Sequence, residues 1–101
     1  MITRIVKMNF RPDCIEDFKI LFDLVKVQIS TFPGCRSLTM LQDKHLPQTF
    51  FTYSIWDDEK ALDNYRNSDL FAETWQKTKI LFESKALAWT THELYNQNRA
   101  H

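Results

Sequence analysis

Glycine is almost absent from this chain: Gly34 is the only one in 101 residues. A phosphate-cradling loop needs several glycines, so phosphate-loop chemistry is excluded. A single glycine in a chain that is 14% aromatic also leaves little room for linkers or disordered stretches. Charge of one sign is also missing, because 13 Lys and Arg balance 13 Asp and Glu. Without a basic field the chain is not expected to hold nucleic acid. No run approaches the ~20 apolar residues of a membrane span. The N-terminus lacks the charged-then-apolar order of a secretion signal. Cysteine is limited to Cys14 and Cys35, which flank a predicted helix of roughly 25–28 Å. A disulfide needs Cα atoms within ~7 Å. Both thiols are therefore expected to be free, which suits a reducing cytoplasm and argues against a shared metal. No cluster of His and carboxylates has metal-ligand spacing.

What is present is a regular, aromatic chain, 14% Phe, Trp and Tyr, of a length for one domain. Ile2 to Phe10 alternates, with Ile2, Val6, Met8 and Phe10 on one face and Ile5, Lys7 and Asn9 on the other, as a strand does. Asp13 then serves as a predicted N-cap, with Glu16 completing a capping box. Ile15, Phe18, Phe22, Val25 and Ile29 follow at helical spacing. Phe32-Pro33-Gly34 ends that helix, since Pro33 cannot continue it and Gly34 takes positive φ readily. A second strand is expected over Arg36 to Gln42 and a third, dense in β-formers, over Thr49 to Trp56. Asp57-Asp58 opens a second helix with Ala61, Leu62 and Tyr65. Ser68 or Asp69 caps a third, carrying Phe71, Trp75, Thr78 and Phe82. The last strand is expected over Ala86 to Tyr95, and Asn96 to His101 reads as a polar tail after a domain spanning residues 1–95.

The order is β-α-β-β-α-α-β. Two split β-α-β units of this kind give an α+β, ferredoxin-like domain: a four-stranded antiparallel sheet with helices on one face. The other face should then be polar. It is not. Phe50 and Trp56 alternate with Phe51, Tyr53 and Ile55, so both sides of the third strand are apolar, and Leu87 and Trp89 oppose Ala88 and Leu94 on the fourth. Burying a large apolar side chain contributes roughly 1.5–3 kcal/mol, so a homodimer with stacked sheets is expected.

Several segments together resemble one family. Ile2-Thr3-Arg4-Ile5-Val6-Lys7-Met8, Phe32-Pro33-Gly34-Cys35, Phe51-Thr52-Tyr53-Ser54-Ile55-Trp56, and Tyr65-Arg66-Asn67-Ser68-Asp69-Leu70-Phe71 with Trp75 are similar to the antibiotic biosynthesis monooxygenase (ABM) domain. That resemblance implies a dimeric α+β barrel with a small cavity in each subunit, between sheet and helices. It also implies a range of activities: cofactor-free oxygenation of aromatic polyketides and quinols, heme degradation, or none known. Heme-degrading relatives use an Asn, a Trp and an iron-binding His. Tyr65 stands where their Trp would be and Trp75 where their His would be. An indole nitrogen has no free lone pair for iron, which leaves heme binding a distant alternative.

The cofactor-free reading needs a base, a donor for the forming oxygen anion, and a dry pocket. His92, expected on the last strand, is the candidate base, because an unperturbed imidazole, with a pKa of ~6.5, is mostly neutral at pH 7. Tyr65 and Trp75 are candidate walls for a planar ring, and Phe71, one turn before Trp75, a candidate floor. Arg4, Arg66 and Asn9 are candidate donors or anion stabilisers. Each residue also has a plainer reading: a surface histidine, core aromatics, surface arginines, and an Asn bonding backbone at a strand end. The function expected is a cofactor-independent monooxygenase of a small aromatic or quinol-like compound. The alternative is a non-catalytic dimeric barrel that holds a small apolar ligand.

Overall fold

A computed structural model describes residues 1–98. Strand β1 (Ile2–Phe10) is followed by a 3-10 turn, Pro12–Cys14, and helix α1 (Ile15–Ser30). Strands β2 (Cys35–Gln42) and β3 (Thr49–Trp56) come next. Helices α2 (Glu59–Arg66) and α3 (Asp69–Lys79) then lead into β4 (Phe82–Thr91). The sheet order is β2-β3-β1-β4, antiparallel throughout. This is the expected ferredoxin-like arrangement.

Local chemistry accounts for most boundaries. The Asp58 side chain accepts from the Ala61 amide at 2.8 Å, and Ser68 Oγ from the Phe71 amide at 3.1 Å, capping α2 and α3. In the β2–β3 connection Asp43 Oδ1 accepts from the amides of His45 and Leu46. Those two bonds hold the Asp43 carboxyl below its usual pKa. Gly34 sits at φ +88°, and its carbonyl accepts from the Asp57 amide at 2.9 Å, which ties the start of β2 to the entrance of α2. Both cysteines are free.

Two expectations fail. The Asp13–Glu16 capping box does not form: Pro12–Cys14 winds as a 3-10 turn, Cys14 takes the N-cap position of α1, and no side chain caps it. The last strand begins four residues early, at Phe82 rather than Ala86, and ends at Thr91. Phe82 belongs to β4, paired with Phe10, and not to α3. His92, Leu94 and Tyr95 consequently lie beyond the sheet, and residues 99–101 of the expected tail fall outside the described residues.

The alternation of each strand decides which face meets the helices. Met8, Phe10 and Phe50 point inward and pack with Phe18 of α1 as the buried core. Phe10 stacks on Phe18 with ring centroids 4.0 Å apart, and Phe50 meets both rings edge-on. On the outer face, pairing aligns Tyr53, Ile5 and Trp89 in one row across β3, β1 and β4. Leu41, Phe51, Lys7 and Leu87 make the next row. No helix covers these rows, and Leu41, Tyr53, Leu87 and Trp89 are each 40–51% exposed.

Candidate functional site

The inner face is not fully packed. Large side chains fill one end, but at mid-sheet the inward positions are small: Thr52 and Ser54 on β3, Ala86 and Ala88 on β4. Helices α2 and α3 bridge over this shallow stretch. A cavity of about 250 Å³ remains between them and the sheet. Its volume falls below the ~300–1,000 Å³ typical of sites for drug-sized ligands, so it suits one or two fused rings.

The wall is aromatic. Trp56 stacks on Tyr65 with centroids 5.0 Å apart and planes at 26°. Tyr65 contacts Phe71 at 5.2 Å, and Phe71 stacks on Trp75 at 5.7 Å and 29°. Phe71 and Trp75 sit one turn apart on α3, Tyr65 meets them from the end of α2, and Trp56 joins them from β3. Phe18 and Phe22 of α1 close the far side.

The polar end is cationic. Arg4, on the inner face of β1 opposite Ser54, and Arg66, the last residue of α2, both line the cavity. Arg4 is half-buried and donates to Thr90 Oγ1 at 2.8 Å, while Arg66 is exposed to solvent. Burial first, and the nearby Arg66 charge second, lower the Arg4 pKa. Among the described residues neither guanidinium has a carboxylate within ion-pair distance; the pairs that form are Lys19–Glu16, Lys26–Asp23 and Arg36–Asp57. Burial, with a smaller contribution from Cys35, pushes the Tyr65 phenol up to about 12. Tyr65 is therefore a neutral hydrogen-bond donor at physiological pH and not a base.

Five of the seven candidates read from sequence thus surround one cavity: Arg4, Tyr65, Arg66, Phe71 and Trp75. Asn9 stands apart. It lies on the outer face, where its Oδ1 accepts from Thr49 Oγ1 at 2.6 Å and its Nδ2 donates to Ser84 Oγ at 3.3 Å. His92 is exposed one residue past β4, in a shallow surface depression with Met1 and Tyr95, and does not line the cavity. Sequence reasoning missed Trp56, Ser54, Thr52 and Phe18. Strand parity was the available signal, since Thr52 and Ser54 share a face with Phe50 and Trp56. Trp56 is almost fully buried, its Nε1 donating to Ser54 Oγ at 3.0 Å. No group of three or more His, Cys, Asp or Glu suited to a metal occurs among the described residues. None of their helices is long and apolar enough to cross a membrane.

The family model for antibiotic biosynthesis monooxygenase matches residues 1–77. The chain belongs to this family. The match ends just before the close of α3, so the cavity-lining residues of β1, β2, β3 and α2, with most of those on α3, lie within it. A crystal structure described as an antibiotic biosynthesis monooxygenase superposes with a TM-score of 0.88 at 17% identity, over 94% of this chain and 100% of that one. Rv0793 from Mycobacterium tuberculosis gives 0.87 at 18% identity, over 96% and 98%. A conserved protein from Methanosarcina mazei Go1 gives 0.86 at 20% identity, over 92% and 93%. At these identities the likeness establishes the fold. No curated protein matches by sequence.

Proposed function

We propose that this ABM protein works as a homodimer, sheet face against sheet face, and that each cavity oxidises a small aromatic, quinol-like compound with dioxygen and no cofactor. The observation that carries the reading is the cavity itself: a stacked aromatic wall with a phenol donor and two guanidiniums at one end. A planar ring lies in the cavity against the wall made by Trp75, Phe71 and Tyr65. The substrate supplies the electrons. One hydroquinone and one dioxygen give one hydroxylated quinone and one water, so atoms and charge balance without an external reductant.

The reaction starts from the ionised phenol, which is the form able to reduce dioxygen. Of the ionisable side chains on the cavity wall, the two arginines stay protonated and Tyr65 holds its proton up to about pH 12. None accepts a proton at neutral pH. The cavity instead favours the anion by its positive field, and the proton leaves to water on the exposed Arg66 side. This route gives His92 no part. The uncovered rows on the outer sheet face support the dimer, because a second copy buries them with the same patch.

Oxygen uptake with a panel of hydroquinones, without added metal or flavin, tests the reading. Uptake above the protein-free rate is expected, with loss in Trp75→Ala. Ligand binding without uptake would favour the non-catalytic reading, which the lack of a proton acceptor on the cavity wall supports.

A further inference from the structure

Arg4 and Arg66 come from distant parts of the chain, yet both line one cavity. Two like charges placed together are unfavourable unless something negative joins them. Elsewhere the protein supplies such a partner: Arg36, on the inlet to β2, pairs with Asp57. At the cavity it supplies none among the described residues. A plain surface arginine swings into water, but Arg4 is half-buried on the inner face and held by Thr90 Oγ1.

We infer that Arg4 and Arg66 form a clamp for a carboxylate carried by an aromatic ligand, with the ring on the Tyr65–Phe71–Trp75 wall. This rests on the cavity being the aromatic site described above and adds the head group that selects among aromatics. A carboxylate offers lone pairs to both guanidiniums at once, and planar forks match it well. Two guanidiniums against one carboxylate leave that end positive, so the field that favours a phenolate persists. The cavity volume of about 250 Å³ limits the ring system to one or two rings.

Calorimetric titration with 2-naphthoate and its uncharged isostere 2-naphthamide separates the clamp from the oxidation, because neither compound is a quinol. The naphthoate is expected to bind at least tenfold tighter at low salt. That preference should shrink as salt screens the exposed arginine. It should fall several-fold in Arg66→Gln, a surface change that leaves the core intact, and be partly kept in Arg66→Lys. Arg4→Gln should remove more of it, with thermal unfolding confirming that the variant is folded. Equal affinities for the two compounds, no binding of either, or an unchanged preference in Arg66→Gln would each overturn the clamp. Quinol oxidation is read separately by oxygen uptake, so either idea can fail while the other stands.

Discussion

Replacing Gly34 with alanine tests how the fold delivers α2 to the cavity. At φ +88° any L side chain is strained, and a left-handed conformation costs a non-glycine residue roughly 1–2 kcal/mol. A Cβ at this position would also stand 2.4 Å from the Ala61 Cβ, far inside contact distance. Ala61 is on α2, one turn before Tyr65 and Arg66, so the helix must shift to make room. Overpacking of this kind costs about 1–3 kcal/mol. The two effects sum to about 2–5 kcal/mol out of a typical total of ~5–15 kcal/mol. At ~4–8 °C per kcal/mol for a domain of this size, melting should fall by roughly 8–40 °C. Thermal and urea unfolding at one fixed protein concentration provide the measurement, since the proposed dimer would make both concentration-dependent. Ala61→Gly separates the contributions. Alone it costs ~1 kcal/mol as a helix glycine; combined with Gly34→Ala it should recover the overpacking part and leave the φ strain. Additive effects in the double mutant, or a loss below ~0.5 kcal/mol for Gly34→Ala, would refute the close-approach argument.

On the outer sheet face, Trp89→Lys places a charge in the Tyr53–Ile5–Trp89 row. Full burial of a large apolar side chain contributes ~1.5–3 kcal/mol. Trp89 is already half-buried, so each protomer would gain about half of that and the two copies of a two-fold interface about 1.5–3 kcal/mol together. The dissociation constant of the proposed dimer, by analytical ultracentrifugation, should rise about ten- to hundredfold; an unchanged constant would mean the sheets do not meet there. Tyr65 makes folding sensitive to alkali. Its folded pKa of about 12 lies above the ordinary 10.0, so its contribution is complete below pH 10 and lost as pH rises to about 12. The urea midpoint should decline across that window, and Tyr65→Phe should flatten the decline. His92→Ala should keep full oxygen uptake, since His92 lies outside the cavity of its own chain; loss of uptake with the dimer intact would restore it as the base.

Much of the architecture was legible because local and global signals agreed. Strand β3 runs from Thr49 to Trp56 as its β-formers predict, and Asp58, Ser68 and Gly34 punctuate where their side chains or backbone freedom require. The end of α3 was not legible. No glycine or proline marks it; it is fixed instead by Arg11, whose amide bonds the Leu81 carbonyl at 3.0 Å and whose side chain bonds the Ile80 carbonyl at 2.9 Å. A stop supplied by a residue 69 positions away leaves no local trace, and this displaced β4 and the expected position of His92. Part of the aromatic wall could be read from sequence, since Phe71 and Trp75 stand one turn apart on α3. The cavity could not, because it depends on small residues at Thr52, Ser54, Ala86 and Ala88 lining up across separate strands.

The most direct test of the account is dioxygen consumption by the purified protein given a one- or two-ring hydroquinone that bears a ring carboxylate, in metal-chelated buffer. The account predicts consumption well above the protein-free rate, one dioxygen per quinol, and faster than for the matching carboxamide. Rates equal to the protein-free control for every quinol offered would contradict it.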